Sequence, residues 1–343
     1  MKIGLEALKT NLTSADVSVN QRYVTARRAR KELRGLHDEM WKMDGRIKAR
    51  KYRFTKDADT ERLLESKIGL GTLDVAGELR WDIPVPDLST VTWKYEADID
   101  VRTPEDKNTC WIICSAMLSP FVFLLAGYWN KTVKLVDITI RTVTSRLQLP
   151  QNNLDVSVLP DDQAAVTLHT IIQLLSTQGQ LSCGKTIRVS SLCRGIGYYY
   201  ERLYVSYLSN RRIEVITLDG DIISTFKKDD GRELFQRPQY VTVSASTPPT
   251  LFVSDIDAQT VLREYKDKKL EFPMSVVQVG PGQLLVCGQD SHNVMLLTER
   301  DGKMTEIQKD GLSLPHSVSF CPYTLTIVVG MYQNDLLKVL YAN

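Results

Sequence analysis

Apolar and polar residues alternate in two rhythms along this chain. Through the first 47 residues the apolar positions step by three and four: Leu5, Leu8, Leu12, Ala15, Val19, Ala26, Ala29, Leu33, Leu36, Met40, Met43 and Ile47, with Arg22 the one polar member of the series. This spacing keeps one helix stripe apolar over six heptads, and three or four suffice to specify a coiled coil. The expectation is a coiled coil over residues 1–56 that makes the chain a dimer. Its interface would be carried by Leu5, Leu8, Leu12, Leu33, Leu36, Met40, Met43 and Ile47. A basic run (Arg46–Lys56), a short helical stretch (Asp59–Ser66) and a segment with Pro84 and Pro86 follow, so residues 57–92 read as a short helix and linker.

Past residue 92 the period drops to two. Tyr95, Ala97, Ile99 and Val101 alternate with Glu96, Asp98 and Asp100, the mark of a strand with one face buried. Six pairs of β-rich runs then recur, and the first apolar residue after each turn is Val133, Ile172, Ile213, Val261, Val294 and Leu336. The spacings are 39, 41, 48, 33 and 42 residues. A β-rich period of ~40–45 residues marks propeller blades, sheets that bury their faces only against their neighbours. The expected fold is therefore mainly β with an α-helical N-terminal part: a six-bladed β-propeller over residues 93–343, preceded by the coiled-coil helix. The last blade runs out one strand short after Leu336–Tyr341, so the strand 95–101 is expected to close the ring. The 48-residue gap is ascribed to an insertion at Ser246–Pro249.

Charge adds little to this picture. Among 343 residues, 43 basic and 41 acidic side chains leave a net charge of +2, with no overall pull toward nucleic acid or membrane. Met1–Thr10 has no apolar core of signal-peptide length, and Trp111–Gly127 is broken by Ser115, Ser119 and Pro120. A cytoplasmic protein without a membrane span is expected, its six cysteines reduced. The closest cysteines, Cys110 and Cys114, lack further Cys or His neighbours, so no zinc site is expected. No nucleotide-binding or hydrolase motif occurs, and the expectation is a non-enzymatic chain without metal or cofactor. Gly195 and Gly197 read as a place of close blade packing.

Candidate binding residues fall in the turns between second and third strands of the blades, which share one face of a propeller. They are Tyr128, Trp129 and Lys131 on one blade, Arg211 and Arg212 on another, His292 on a third and Tyr332 on a fourth. Aromatic and arginine side chains on rigid turns suit a protein-binding hot spot, or a stacking platform for single-stranded RNA.

Those turns carry a family resemblance. Leu203–Ile213, Leu251–Val261 and Leu125–Val133 resemble the NHL run, in which Val-Ser precedes an aspartate and an isoleucine follows the turn, and Leu285–Val294 is a more distant copy. Asp255 alone clearly keeps the aspartate. With the coiled coil, the arrangement resembles tripartite-motif proteins that end in an NHL-type propeller. The resemblance implies a partner-binding propeller. It also implies two alternatives: an RNA-binding propeller, or the substrate-recognition part of a ubiquitin ligase whose RING and B-box are absent from this sequence.

Overall fold

The computed structural model describes residues 50–55, 72–78, 85–229, 231–244, 250–257, 260–261 and 267–342. The chain divides into two compact units, Met1–Trp81 and Asp82–Asn343. In the first unit, β1 (Arg50–Thr55) pairs antiparallel with β2 (Thr72–Glu78). Both strands correct the sequence reading, which placed these residues in the tail of a coiled coil and in a helix-and-linker segment. The reason lies in the local pattern. Tyr52 and Phe54 alternate with Lys51 and Arg53, and Leu73 and Val75 flank Asp74, so a period of two was present beneath the basic run. Among the described residues there is no α-helix, only the 3-10 turn Leu88–Thr90. The described residues are therefore nearly all β, which corrects the expectation of an α-helical part. Leu5, Leu8, Leu12, Leu33, Leu36, Met40, Met43 and Ile47 lie outside the described residues.

In the second unit, β3 (Trp93–Asp100) precedes a series of antiparallel sheets. The first contains β4 (Ile112–Ser119), β5 (Val122–Gly127), β6 (Thr132–Asp137) and β7 (Thr142–Gln148), paired in that order. The second contains β8 (Asp155–Leu159), β9 (Gln163–Leu168), β10 (Ile171–Ser176) and β11 (Ser182–Arg188). The third contains β12 (Ile196–Tyr199), β13 (Arg202–Tyr207), β14 (Arg212–Thr217) and β15 (Ile222–Phe226). A small hairpin, β16 (Lys228–Asp229) and β17 (Arg232–Glu233), separates these from a three-stranded sheet of β18 (Pro238–Val243), β19 (Leu251–Asp255) and β20 (Thr260–Val261). The fifth sheet is β21 (Pro273–Gly280), β22 (Gln283–Gly288), β23 (Asn293–Thr298) and β24 (Lys303–Gln308). The last is β25 (Pro315–Cys321), β26 (Thr326–Met331) and β27 (Leu336–Ala342), with β3 as its outer strand.

The first strands of these sheets stand side by side in the order β4, β8, β12, β18, β21 and β25, and β25 returns to β4. A ring of radially arranged sheets around a central channel is a β-propeller. Among the described residues, five blades are complete at four strands, and the fourth place in the ring is held by a three-stranded sheet. The expectation of six four-stranded blades is corrected accordingly. Residues 246–249 lie outside the described residues, and the hairpin β16–β17 is an added element between the third and fourth places.

Burial explains the sequence rhythm. Every residue of β5, β22 and β26 is buried, because neighbouring blades cover both faces of a middle strand. The outer strand β15 is exposed along its whole length. Between third and fourth sheets the inner strands approach backbone to backbone: a Cβ on Gly195 would lie 2.6 Å from the Gln239 carbonyl oxygen and 2.8 Å from the Tyr240 Cα. No larger residue fits there.

β3 pairs antiparallel with β27, Ile99 facing Leu337 and Ala97 facing Val339. Its end is latched by a buried charge pair. Lys134 Nζ, 1% exposed, donates to the Val101 carbonyl at 2.6 Å and to Asp106 Oδ2. Asp106 also accepts from the Thr103 amide at 2.8 Å and faces Arg146 Nη2 at 3.6 Å. Burial alone would raise the Asp106 carboxyl, but the bonds from Lys134 and Thr103 hold it below its ordinary range.

Candidate functional site

The turns between second and third strands repeat one backbone device. Lys131, Arg211, His292 and Gln333 each close such a turn with a left-handed φ, 53°, 48°, 55° and 48° respectively. A side chain at such a position is held in a sparsely populated conformation, so the loop geometry is imposed by the strands on either side.

Three of the sequence-selected residues meet on one patch: Tyr128 and Trp129 in the β5–β6 turn, and Tyr332 in the β26–β27 turn. The residue that joins them is Trp111, just before β4. Its ring centroid lies 4.5 Å from Tyr128, 5.5 Å from Trp129 and 4.7 Å from Tyr332, and Trp129 and Tyr332 are 5.5 Å apart. Most of these pairs are edge-to-face, the arrangement ring quadrupoles favour. All four side chains are half-buried. The turns beneath are tied down: the Tyr128 amide donates to the Trp111 carbonyl at 2.9 Å, and Asn130 exchanges two bonds with the Asn108 backbone at 2.8 and 2.9 Å. Lys131 is half-buried beside the patch.

The remaining candidates lie elsewhere. Arg212 is spent inside its own blade, with Nε 2.8 Å from Glu214 Oε1, Nη2 3.0 Å from Ser190 Oγ and its guanidinium 4.8 Å over the Tyr207 ring. Arg211 is exposed in the same turn. His292 accepts from the Leu314 amide at 3.0 Å, linking the fifth blade to the entry of the last. The sequence reading missed Trp111. Its signal was its place at the mouth of the first apolar window, immediately before the innermost strand.

Beneath the patch the channel is closed by a polar floor. Trp111 also meets His316, with centroids 5.2 Å apart. His316 Nδ1 lies 3.2 Å from the Tyr240 hydroxyl, which donates to the Ile113 carbonyl at 2.9 Å. Burial, with the Arg194 charge adding to it, depresses His316 to about 3, so the imidazole is neutral at pH 7. With the Gln239 carboxamide oxygen turned toward it, Arg194 donates Nη2 and Nε at 2.5 and 2.8 Å. Asp155, buried at the start of β8, accepts from the Val156 and Ile196 amides at 2.8 Å each. Burial pushes its carboxyl up to about 7 against the pull of Cys114, those two amides and Arg194. These residues are scattered over two hundred positions and no local pattern announces them; ring closure alone brings them together.

No group of three or more potential metal ligands occurs among the described residues. No helix among them is long and apolar enough to cross a membrane.

Comparison with known proteins agrees on architecture. No protein-family model matches the chain, and no curated protein sequence matches it. A streptogramin B lyase structure superposes with a TM-score of 0.54 at 12% identity, covering 73% of this chain and 98% of that one. The Cps50 (Swd1) β-propeller domain of Myceliophteria thermophila gives 0.50 at 11%, covering 68% and 83%. The WD40 propeller domain of Doa1 gives 0.49 at 14%, covering 74% and 98%. The chain is a β-propeller. At these identities the likeness speaks for the fold alone.

Proposed function

We propose that this chain is a non-enzymatic binding module that holds a protein partner on the aromatic patch of Trp111, Tyr128, Trp129 and Tyr332. One observation carries the reading: four aromatic rings in mutual contact stand on turns fixed by backbone hydrogen bonds, on one face of a rigid ring. Large, pre-ordered aromatic surfaces cost little conformational entropy on binding and dominate interface energies. The NHL-like turns support a partner-binding propeller as well. All six cysteines are free and all but Cys183 buried, which suits the reducing cytoplasm. A cationic RNA platform draws less support, since Arg212 is committed to Glu214 and Ser190.

The test is capture from cell lysate with the full chain, with and without RNase. The reading expects the same proteins in both arms. Proteins that vanish with RNase, together with recovered RNA, would overturn it. Against a purified partner, Trp129→Ala should weaken binding by about 2 kcal/mol, roughly thirtyfold.

A further inference from the structure

The central channel is a one-ended pit. A cavity of about 260 Å³ is lined by the six inner strands. Residues at its inner level, among them Cys114, Asp155, Tyr240 and Ser275, are buried, whereas Met117, Val158, Val243 and Val277 further along the same strands are half-exposed. The pit is therefore closed toward the aromatic patch, where Tyr240, His316 and the Ile113 carbonyl form the floor. It opens on the opposite face, at the turns between first and second strands.

Its chemistry is asymmetric. The walls alternate valines with hydroxyls, such as Ser115, Ser275 and Ser319. Asp155 is the one charge-bearing carboxyl on the lining; each of its oxygens accepts from one backbone amide, and the Cys114 side chain bonds the carboxyl as well. The Arg194 guanidinium is turned to the Gln239 carboxamide and is not part of the lining. A pit just below the usual ~300–1,000 Å³ ligand range, apolar in body with one acidic anchor, suits a small cation. We propose that it binds a small primary ammonium with a short apolar body, the charge paired with Asp155 and the body against the valine walls. The remaining N–H groups would donate to the serine hydroxyls.

The groups facing Asp155 leave it as the pH-sensitive element. Cys114 on β4 is raised well above the ordinary thiol range, and Tyr240 on β18 well above the ordinary phenol range. His316 on β25 stays neutral, Arg194 before β12 is a fixed charge, and β21 contributes the uncharged Ser275. Because the Asp155 carboxyl lies at about 7, raising the pH ionises it and strengthens ammonium binding.

The test is calorimetric titration of the full chain with n-butylammonium and, separately, n-butanol, at pH 6 and pH 8. The ammonium itself stays protonated at both values. At pH 8 butylammonium should bind at least about tenfold more tightly than butanol. Its affinity should fall about tenfold at pH 6, as expected for one carboxyl titrating between the two. Asp155→Asn should remove the preference for the ammonium. Equal binding of the two probes, pH-independent ammonium binding, or a preference retained in the Asn variant would each overturn the proposal. If the variant does not fold, the two-pH comparison on the native chain decides alone.

Discussion

The joint between first and last blades and the three-stranded sheet at the fourth place are built in opposite ways. At the joint, β3 completes the last blade, Lys134 and Asp106 lock its end, and Asp335 accepts from the Cys110 amide at 2.7 Å while its carbonyl takes the Val101 amide at 2.8 Å. At the fourth place three strands are described, and the neighbouring outer strand β15 leaves Ile222, Ile223 and Phe226 exposed. That sheet is held from within, through the Gly195–Tyr240 approach and through Asp255, which accepts from the Gln236 and Arg237 amides at 2.7 and 2.9 Å. The contrast teaches that a ring needs its strongest fastening where its two ends meet. The aromatic patch sits on that fastening, with Trp111, Tyr128 and Trp129 from one side and Tyr332 from the other, so the proposed binding surface stands where the ring is closed.

The comparison breaks hardest if the joint is opened. Removing residues 93–102 from the full chain should abolish cooperative unfolding of the propeller, followed by circular dichroism on heating; an unchanged melting transition would refute ring closure by β3. Next in size, Lys134→Met strands Asp106 as a buried, underpaired charge and should cost about 3–5 kcal/mol in denaturant unfolding. Replacing both partners with apolar residues should recover much of that loss.

A smaller effect lies in the channel floor, between the two regions. His316 is held neutral, with its folded value depressed to about 3, so its contribution is present above the unfolded value near 6.5. That contribution is lost as pH falls through the window from 6.5 toward 3. Asp155, raised to about 7, acts in the opposite sense and loses its contribution as pH rises through that value. His316→Gln should therefore flatten the acid side of the stability profile while leaving the alkaline side in place. The smallest effect is expected at the open region: Phe226→Ser on β15 should change stability by no more than about 0.5 kcal/mol, because the strand is already wet.

The repeated strand-turn-strand segments were legible because middle strands are buried on both faces, which writes long apolar runs such as Val122–Gly127 into the sequence. The alternation Tyr95–Val101 falls on and just past the outer strand of the last blade, where Ile99 and Val101 are buried and Tyr95 is exposed. Gly195 and Gly197 were legible as close packing because a strand interior without side chains has few other uses. The aspartate kept at Asp255 accepts from two turn amides.

Other features were hidden for identifiable reasons. A basic run masked the period of two in Arg50–Thr55. The three strands described at the fourth place were not foreseen, because Val261 falls in step with its counterparts in the other blades. Of the binding candidates, turn position alone could not separate Tyr128, Trp129 and Tyr332, which converge, from Arg212, which is engaged within its own blade, and His292, which is engaged at the entry of the last. That distinction depends on Glu214 in the same strand as Arg212, and on Ser190 and Leu314 in the loops before β12 and β25.

The most direct measurement compares lysate capture by the full wild-type chain with capture by Trp129→Ala and by Tyr323→Ser, all after RNase treatment. Tyr323 is 61% exposed on the opposite face and serves as the matched control. The account predicts that Tyr323→Ser retains the proteins held by wild type and that Trp129→Ala loses them. Equal retention by both variants, or loss with Tyr323→Ser alone, would contradict a partner-binding patch at the joint.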